Sequence, residues 1–445
     1  MIGWQALMAK EIGLWPQWGG PAIIRVNRLM RWTGDAALAT ATGGLAWKLA
    51  QPTMTERDFA EHVQIIGGTG SGKTNALHHL LLTGARHGWA LVAFHQTLDD
   101  ANQLKAILTT RAQYPVIRIN PLDPDNPGVN VLESPAEPMA WDRVAQTVRT
   151  IFEDQGPQGH AMAQVIEMAA YAVLEGFAPE VPTLRHLVQF LVTPSLRTRV
   201  VQTLQNPIVK LYWDQVFEAQ AKSAIRDAAS ILNVLRSPAL QRTLGTPHGL
   251  NVADALTQPQ CLQIVCDRDT LGPTASQLFG KLWVSVLEQL TYQRDPHSRM
   301  VLVGADEWPL YRTRSLERCL EQGRRHRVGW ILTSQHTGQG TAAQQAAWQT
   351  GSAYIFRPEA LEDAPKLARM LGLERQQMAL PRLTCWARLM VRGRIRPVRK
   401  LHWTYLTPRK GGRRDGATHW TGSGHSPRSG ADALPQRRAS GSGLV

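Results

Sequence analysis

The residues best suited to chemistry in this chain lie in one short segment, GGTGSGKT at positions 67–74. It fits the pattern G-x-x-x-x-G-K-[ST], in which backbone N–H groups close around a triphosphate, the lysine reaches the β- and γ-phosphates, and the final hydroxyl binds Mg²⁺. An apolar run precedes the segment and a helix-like run follows it, as this chemistry requires. We therefore predict an ATP-binding loop, the alternative being a glycine-rich turn without a ligand. Its residues are Gly67, Gly68, Thr69, Gly70, Ser71, Gly72, Lys73 and Thr74.

Two carboxylates, Asp306 and Glu307, end a later apolar run, VLVGADEW. An aspartate at a strand end beside a phosphate loop can complete the Mg²⁺ shell with Thr74, and the adjacent glutamate can polarise an attacking water. Carboxylates at strand ends are common, so the alternative is a solvated strand end. The pair favours ATP hydrolysis that drives movement over phosphate transfer to a small substrate.

A basic segment with six arginines between positions 312 and 327 leads into a further apolar run that ends in Thr333, Ser334 and Gln335. We predict that Gln335 senses the γ-phosphate, the alternative being a capping or turn role. Arg324, ahead of Arg325, is the candidate to stabilise the transition state at the ATP of a neighbouring subunit. The alternative for both arginines is a solvated basic helix face.

Short apolar runs mark the elements that must position these residues. One run ends near Phe94, and the others lie at 116–119, 261–266, 300–307, 328–335 and 352–358. Short, nearly continuous apolar runs separated by helix-like sequence are typical of buried parallel strands. Between about 136 and 249 only helical periodicity remains, divided by prolines. We predict an α/β fold whose mainly parallel sheet is interrupted by an all-α insertion.

Five regions follow from these shifts in pattern. They are an N-terminal arm at 1–55, the first part of the nucleotide-binding domain at 56–135, the all-α domain at 136–249, the second part of the nucleotide-binding domain at 250–407, and a basic tail at 408–445. The tail is rich in Gly, Ser, Arg and Pro and has few apolar residues, so it is expected to be disordered.

Charge and composition indicate the partners. The 445-residue chain has a net charge of +14, and positions 391–445, with 12 basic and 2 acidic side chains, contribute +10 of it. Such a basic segment would attract nucleic acid or an anionic membrane surface. The alternative is a solvated tail without a partner. No apolar stretch approaches the roughly 18 residues of a membrane-spanning helix, and no signal peptide is recognisable. The four cysteines lack metal-ligand spacing and are expected to be reduced thiols in the cytoplasm.

The order of these motifs resembles the type IV coupling proteins of conjugation, of the TraD/TraG type, within the HerA/FtsK superfamily of ring-forming DNA pumps. The shared order is phosphate loop, helical insertion, DE strand, GRR-x-x-x-G and a strand ending in Gln. Segments 212–245, 266–294 and 353–373 also resemble the family, and the resemblance covers about residues 56–405.

This resemblance implies a RecA-like P-loop NTPase fold and a DNA-stimulated ATPase that forms a hexameric ring. Such an enzyme would move single- or double-stranded DNA towards a type IV secretion channel, with a relaxase and inner-membrane components of the channel as partners. The catalytic residues would be Lys73, Asp306, Glu307, Gln335 and Arg324.

Two departures from the family leave alternatives open. The usual pair of transmembrane helices is missing, so the protein is expected in the cytoplasm or at the inner membrane through a partner. The second strand ends in His95 and Gln96 where the family has an acidic residue, with Asp99 or Asp100 as a substitute. The alternatives are a soluble pump of the superfamily for DNA segregation or end processing, and an ATP-gated adaptor that recruits substrates without pumping them.

Overall fold

The centre of the fold is a nine-stranded sheet, seen in a computed structural model that describes residues 54–153, 159–217, 237–336, 351–360 and 362–408. The strands are β1 Val63–Ile66, β2 Ala90–His95, β3 Val116–Ile119, β4 Cys261–Val265, β5 Val301–Ala305, β6 Val328–Ser334, β7 Ser352–Ile355, β8 Thr384–Arg388, β9 Met390–Val391, β10 Arg394–Ile395 and β11 Arg399–His402. Their order in the sheet is β11-β8-β7-β1-β6-β5-β2-β4-β3, and β9 and β10 form a separate two-stranded ribbon.

Apart from α1, which precedes β1, the helices of the described residues lie between these strands in the chain. They are α1 Glu56–Ala60, α2 Lys73–Arg86, α3 Leu98–Ala112, α4 Pro138–Glu153, α5 Gly159–Gly176, α6 Leu184–Val192, α7 Pro194–Thr203, α8 Pro207–Leu211, α9 Pro238–Leu244, α10 Val252–Ala255, α11 Arg268–Leu271, α12 Pro273–Gln293, α13 Arg314–Gln322 and α14 Asp363–Leu371. A π-helical turn covers Tyr212–Val216, and 3₁₀ turns cover Trp308–Tyr311, Gly323–His326 and Arg375–Met378.

Strands β1 to β7 are parallel, with β1 paired to β6 on one side and to β7 on the other. Every residue of β1, β2, β4, β5, β6 and β7 is buried. Covered on both faces, such strands need apolar residues at almost every position, which explains their unbroken apolar sequence. The predicted α/β fold with a mainly parallel sheet is confirmed.

The segment between β3 and β4 contains helices and no strand in its described residues. Helix α4 packs along α5 and also contacts α12 and α13, which lie against the sheet. A buried hydrogen bond joins the hydroxyls of Thr150 and Ser315 at 2.6 Å. The helices thus share one apolar core with the sheet face, and the boundaries 136 and 249 remain predictions.

The antiparallel edge of the sheet is an element that the sequence pattern did not indicate. Strand β8 pairs antiparallel with both β7 and β11. Cys385 and Ala387 are buried, whereas Arg399 and Lys400 of β11 are exposed. An edge strand of this kind carries charged residues and lacks the continuous apolar run by which the parallel strands were recognised.

The two chain ends fall largely outside the described residues. The predicted N-terminal arm is represented only by its last two residues, and the basic tail by its first. The N-terminal arm and the disorder expected of the tail therefore remain predictions. Within the described ranges, no helix combines the length and the apolar character needed to span a bilayer.

Candidate nucleotide-binding site

The glycine-rich loop joins β1 to α2 at the carboxyl edge of the parallel strands. Its backbone needs glycine, because φ is +69° at Gly70 and +115° at Gly72, a region that other residues rarely adopt. A Cβ atom at Gly67 would lie 2.5 Å from Cβ of Phe356. The loop therefore has the turn and the close packing that a phosphate loop requires.

The loop is anchored on both sides by backbone hydrogen bonds. Gly67 N–H donates to the carbonyl of Ser334 at 3.2 Å, at the end of β6, and Gly68 N–H donates to the carbonyl of Arg357 at 2.8 Å, just after β7. The carbonyl of Ser71 accepts from Leu383 N–H at 2.8 Å. Helix α2 then starts at Lys73, so its positive end is directed at the space enclosed by the loop.

Lys73 is buried within this loop. Its Nζ donates to the carbonyl of Gly68 at 3.1 Å. Burial lowers the pKa of Lys73, and the charges of Glu307, Asp306 and Glu359 oppose that effect. The ammonium group thus lies within electrostatic range of three carboxylates.

Asp306 and Thr74 meet where the end of β5 faces the start of α2. Thr74 Oγ1 donates to Asp306 Oδ2 at 3.1 Å, and Thr333 Oγ1 donates to Asp306 Oδ1 at 2.5 Å. The two threonines hold the carboxylate in one orientation. The Thr74 hydroxyl and the Asp306 carboxylate are oxygen donors of the type that Mg²⁺ prefers.

Glu307 has a strained backbone and a defined set of contacts. Its φ of +51° lies in the left-handed region, which costs a residue other than glycine about 1–2 kcal/mol and is found often at functional sites. Its N–H donates to Thr333 Oγ1 at 2.9 Å, and its Oε2 accepts from Gln335 Nε2 at 3.3 Å. Burial raises the pKa of Glu307 and nearby Lys73 opposes that rise, which suits a carboxylate that accepts a proton.

Arg324 lies away from these residues. It belongs to the 3₁₀ turn that precedes β6, whereas Gln335 follows the end of the same strand. At about 3.3 Å per residue, the strand separates the two by roughly 20 Å. Arg324 Nη1 pairs with Glu61 Oε1 at 2.6 Å, and Glu61 immediately precedes the turn into β1. The structure thus brings Lys73, Thr74, Asp306, Glu307 and Gln335 together but leaves Arg324 at the opposite edge of the sheet.

The unusual end of the second strand lies beside Asp306. His95 follows Phe94, which pairs with Ala305, and neither ring nitrogen of His95 has a hydrogen-bond partner among the described residues. Burial lowers its pKa well below the usual value, so the ring is neutral. Asp100 is occupied in capping α3, where its carboxylate accepts from Thr97 Oγ1 at 2.7 Å. Asp100, one of the two residues predicted to replace the family's acidic residue, therefore has a structural contact at the start of α3.

Two features of the site were not recognised from sequence. Thr333 contacts both carboxylate residues through one hydroxyl, although the sequence indicated only that it belonged to a polar strand end. Glu359, which follows β7, contacts the glycine-rich loop at Thr69. No local pattern marks Glu359, because the contact depends on β7 lying beside β1.

The described part of the basic C-terminal region forms an exposed surface, here called the basic ribbon. Its tight turn at Arg392 and Gly393 has positive φ at both residues, as in two-residue hairpin turns. No ion pair of the described residues involves its charged side chains. The basic ribbon consists of the exposed residues Arg392, Arg394, Arg396, Arg399 and Lys400.

Comparison with known proteins identifies the relatives of this arrangement. The bacterial conjugative coupling protein TrwBdeltaN70 in an unbound form shares the fold, with a TM-score of 0.65 and 17% identity over 80% of this chain and 88% of that one. TrwB bound to the ATP analogue ADPNP gives a TM-score of 0.61 and 19% identity, over 80% and 88% of the two chains. VirB4 of Thermoanaerobacter pseudethanolicus gives 0.51 and 12%, over 79% and 90%.

At the level of sequence, no curated protein matches this chain. A family model does match residues 47–380, which include the glycine-rich loop, the DE strand and the strand that ends before Gln335. The matched range is about three quarters of the chain. The chain therefore belongs to the family described as the type IV secretion-system coupling protein DNA-binding domain.

Proposed function

We propose that this protein is a DNA-stimulated ATPase that moves DNA towards a type IV secretion channel. The observation that carries the proposal is the contact of Asp306 with Thr74 and of Glu307 with Gln335, beside a glycine-rich loop in a coupling-protein chain. A protein that only bound nucleotide would not need a half-buried glutamate held next to the aspartate proposed to complete the Mg²⁺ shell.

ATP and Mg²⁺ fit the residues present. TrwB has been solved with ADPNP, and also with ADP and Mg²⁺. In this chain the Thr74 hydroxyl and the Asp306 carboxylate lie 3.1 Å apart at the foot of the loop, and these two residues would hold the ion. A Mg²⁺ ion held there would supply positive charge to the phosphates of ATP.

Hydrolysis then depends on the chain's own groups. Lys73 leaves the Gly68 carbonyl and pairs with the phosphates, and the N–H groups of the loop bind the phosphate oxygens. Glu307 orients the attacking water and accepts its proton, and its raised pKa favours that transfer. Gln335 holds the Glu307 carboxylate and is proposed to sense the γ-phosphate.

Arg324 is proposed to act on the ATP of a neighbouring subunit in a homo-oligomeric ring, expected to be a hexamer. One strand length separates Arg324 from the loop of its own subunit, so a contact with ATP would have to be made at the loop of another subunit. Glu61 holds the guanidinium at the surface of the free subunit.

A subunit-mixing experiment tests this role. Arg324→Ala and Lys73→Ala should each lose DNA-stimulated ATPase activity. Rings assembled from both variants should recover part of that activity. In such rings the Lys73→Ala subunits supply Arg324 to the intact phosphate loops of the Arg324→Ala subunits. Absence of recovery, in mixtures shown to assemble, would exclude a role in trans.

DNA contact through phosphates alone is sufficient for such a pump, since movement requires no base recognition. The family description and the exposed cations of the basic ribbon support DNA as the partner. A relaxase and inner-membrane components of the secretion system are the proposed protein partners. The protein would act on the cytoplasmic side of the inner membrane by docking on those components.

The decisive experiment is steady-state ATP hydrolysis with and without DNA. The parent protein is expected to be accelerated several-fold by DNA, and Lys73→Ala and Glu307→Gln are expected to abolish turnover. Glu307→Gln should retain ATP binding, because it removes the proton acceptor and leaves the loop intact. Slow hydrolysis that DNA does not change, together with ATP binding through Lys73, would favour an ATP-gated adaptor.

A further inference from the structure

The carboxylate of Glu359 accepts hydrogen bonds from the glycine-rich loop, as a phosphate group would. The carboxylate of Glu359 accepts the backbone N–H of Thr69 at 3.0 Å and the hydroxyl of Thr69 at 3.1 Å, both through Oε2. Thr69 is the third residue of the loop. Backbone N–H groups of such a loop normally point towards phosphate oxygens. Glu359 therefore takes up a donor that the proposed function assigns to ATP.

The charges around Glu359 favour its ionised form. Hydrogen bonds from the Thr69 N–H and hydroxyl lower the pKa of Glu359, and the nearby ammonium group of Lys73 acts in the same direction. The Glu359 charge in turn opposes, together with those of Glu307 and Asp306, the lowering of the Lys73 pKa by burial. The loop of the free protein thus holds a negative charge close to its own lysine.

The backbone that carries Glu359 is fixed close to the loop. Gly68 N–H donates to the carbonyl of Arg357 at 2.8 Å, and a Cβ atom at Gly68 would lie 3.0 Å from the Cβ of Glu359. The Glu359 side chain, in contrast, is exposed and can rotate. A triphosphate can therefore displace the carboxylate group, but the residue itself stays beside the bound phosphates.

We propose that Glu359 sets the affinity of the loop for a nucleoside triphosphate by competing with its terminal phosphate for the N–H of Thr69. This inference rests on the proposed function of the loop. Displacement costs two hydrogen bonds and leaves a carboxylate near a highly charged triphosphate. The cost is smaller for a diphosphate, which carries less charge and lacks the terminal group. Glu359 thus weakens binding of the triphosphate more than that of the diphosphate.

The test compares equilibrium binding of a non-hydrolysable ATP analogue and of ADP, each with Mg²⁺, to the full-length protein. Glu359→Gln and Glu359→Ala should tighten binding of the ATP analogue by about fivefold or more, because a repulsive charge is removed. Binding of ADP should tighten by a smaller factor. Glu362→Gln is the matched control, since it removes an exposed carboxylate three residues further along.

The outcomes separate this inference from the proposed function. One outcome is that the parent and Glu362→Gln bind the analogue, while both Glu359 variants bind it no more tightly than the parent does. The proposed competition by Glu359 would then be wrong, whereas the nucleotide site would stand. Equal tightening for ADP and the ATP analogue would also overturn the proposed competition. If the parent binds neither nucleotide, the proposed function itself fails.

Discussion

Thr333 and Asp306 are joined by a hydrogen bond of 2.5 Å, in which the Thr333 hydroxyl donates to Asp306 Oδ1. The same hydroxyl oxygen accepts the N–H of Glu307 at 2.9 Å. One side chain at the end of β6 therefore holds the carboxylate proposed to bind Mg²⁺ and the strained backbone of the proposed general base. The geometry of both acids depends on the neighbouring strand.

Thr333→Val tests this dependence, because it keeps the shape of the side chain and removes the hydroxyl. We expect kcat for ATP to fall about 10- to 100-fold, since loss of alignment in a catalytic pair has effects of this order. KM should change less than about threefold, since the loop that binds the phosphates is unaltered. Thr333→Ser, which retains the hydroxyl, should keep most of the activity. Equal activity of the Val and Ser variants would contradict the prediction.

Gln335→Ala removes the donor that contacts Glu307 Oε2. Turnover should fall about 10- to 100-fold while the affinity for a non-hydrolysable ATP analogue stays within about threefold. Steady-state kinetics and equilibrium binding measure the two quantities separately. The exposed Gln376→Ala serves as the control and should behave as the parent does. A loss confined to nucleotide binding would argue against a role for Gln335 in hydrolysis.

His62 should make the fold sensitive to acid. Its Nδ1 accepts from Trp330 N–H at 3.1 Å, its Nε2 contacts the Leu320 carbonyl at 2.7 Å, and burial lowers its pKa to about 4. The unfolded chain therefore binds a proton more tightly than the folded one. The contribution of the neutral ring to the free energy of unfolding is therefore complete above about pH 6.5 and is lost as the pH falls towards 4. At pH 5 the loss is about 2 kcal/mol.

Urea unfolding of the parent and of His62→Gln at about pH 7 and pH 5 measures this contribution. Glutamine can also donate and accept at this position, but it does not titrate. The variant should lose about 2 kcal/mol less than the parent between the two pH values. His78, whose pKa burial also lowers to about 4, is present in both proteins and cancels in the comparison. Parallel losses in the two proteins would show that His62 does not contribute.

The basic ribbon should bind DNA phosphates. The triple variant Arg392→Gln, Arg394→Gln, Arg396→Gln is expected to weaken binding to duplex DNA. The slope of log affinity against log salt concentration should fall by about 2–3, since each lost phosphate contact accounts for about 0.9. Binding at several salt concentrations, for DNA of two unrelated sequences, measures both effects, and the loss should not depend on sequence.

A matched control for the basic ribbon removes the same charge elsewhere. Arg185, Arg199 and Arg242 are exposed on the helices between β3 and β4, and their replacement by Gln changes the net charge equally. Equal losses in the two triple variants would mean that only total charge matters. The prediction for the ribbon would then be wrong.

The sequence alone determined the α/β fold and the grouping of Lys73, Thr74, Asp306, Glu307 and Gln335. Lys73 and Thr74 begin the helix after the glycine-rich loop that follows β1, whereas Asp306 and Glu307 follow β5 and Gln335 follows β6. The carboxyl ends of these parallel strands meet at one edge of the sheet. Local pattern and parallel topology therefore suffice to bring them together. Their catalytic roles remain predictions.

Only the tertiary structure decided the contacts that depend on strand order. Thr69 and Glu359 are 290 residues apart and meet because β7 lies beside β1. Strands β8 and β11 join the sheet through antiparallel pairing, although their charged residues give no sign of a buried strand. Thr333 reaches both acids because β6 lies beside β5. Neighbours in a sheet are selected by packing of the whole chain, so no local pattern encodes them.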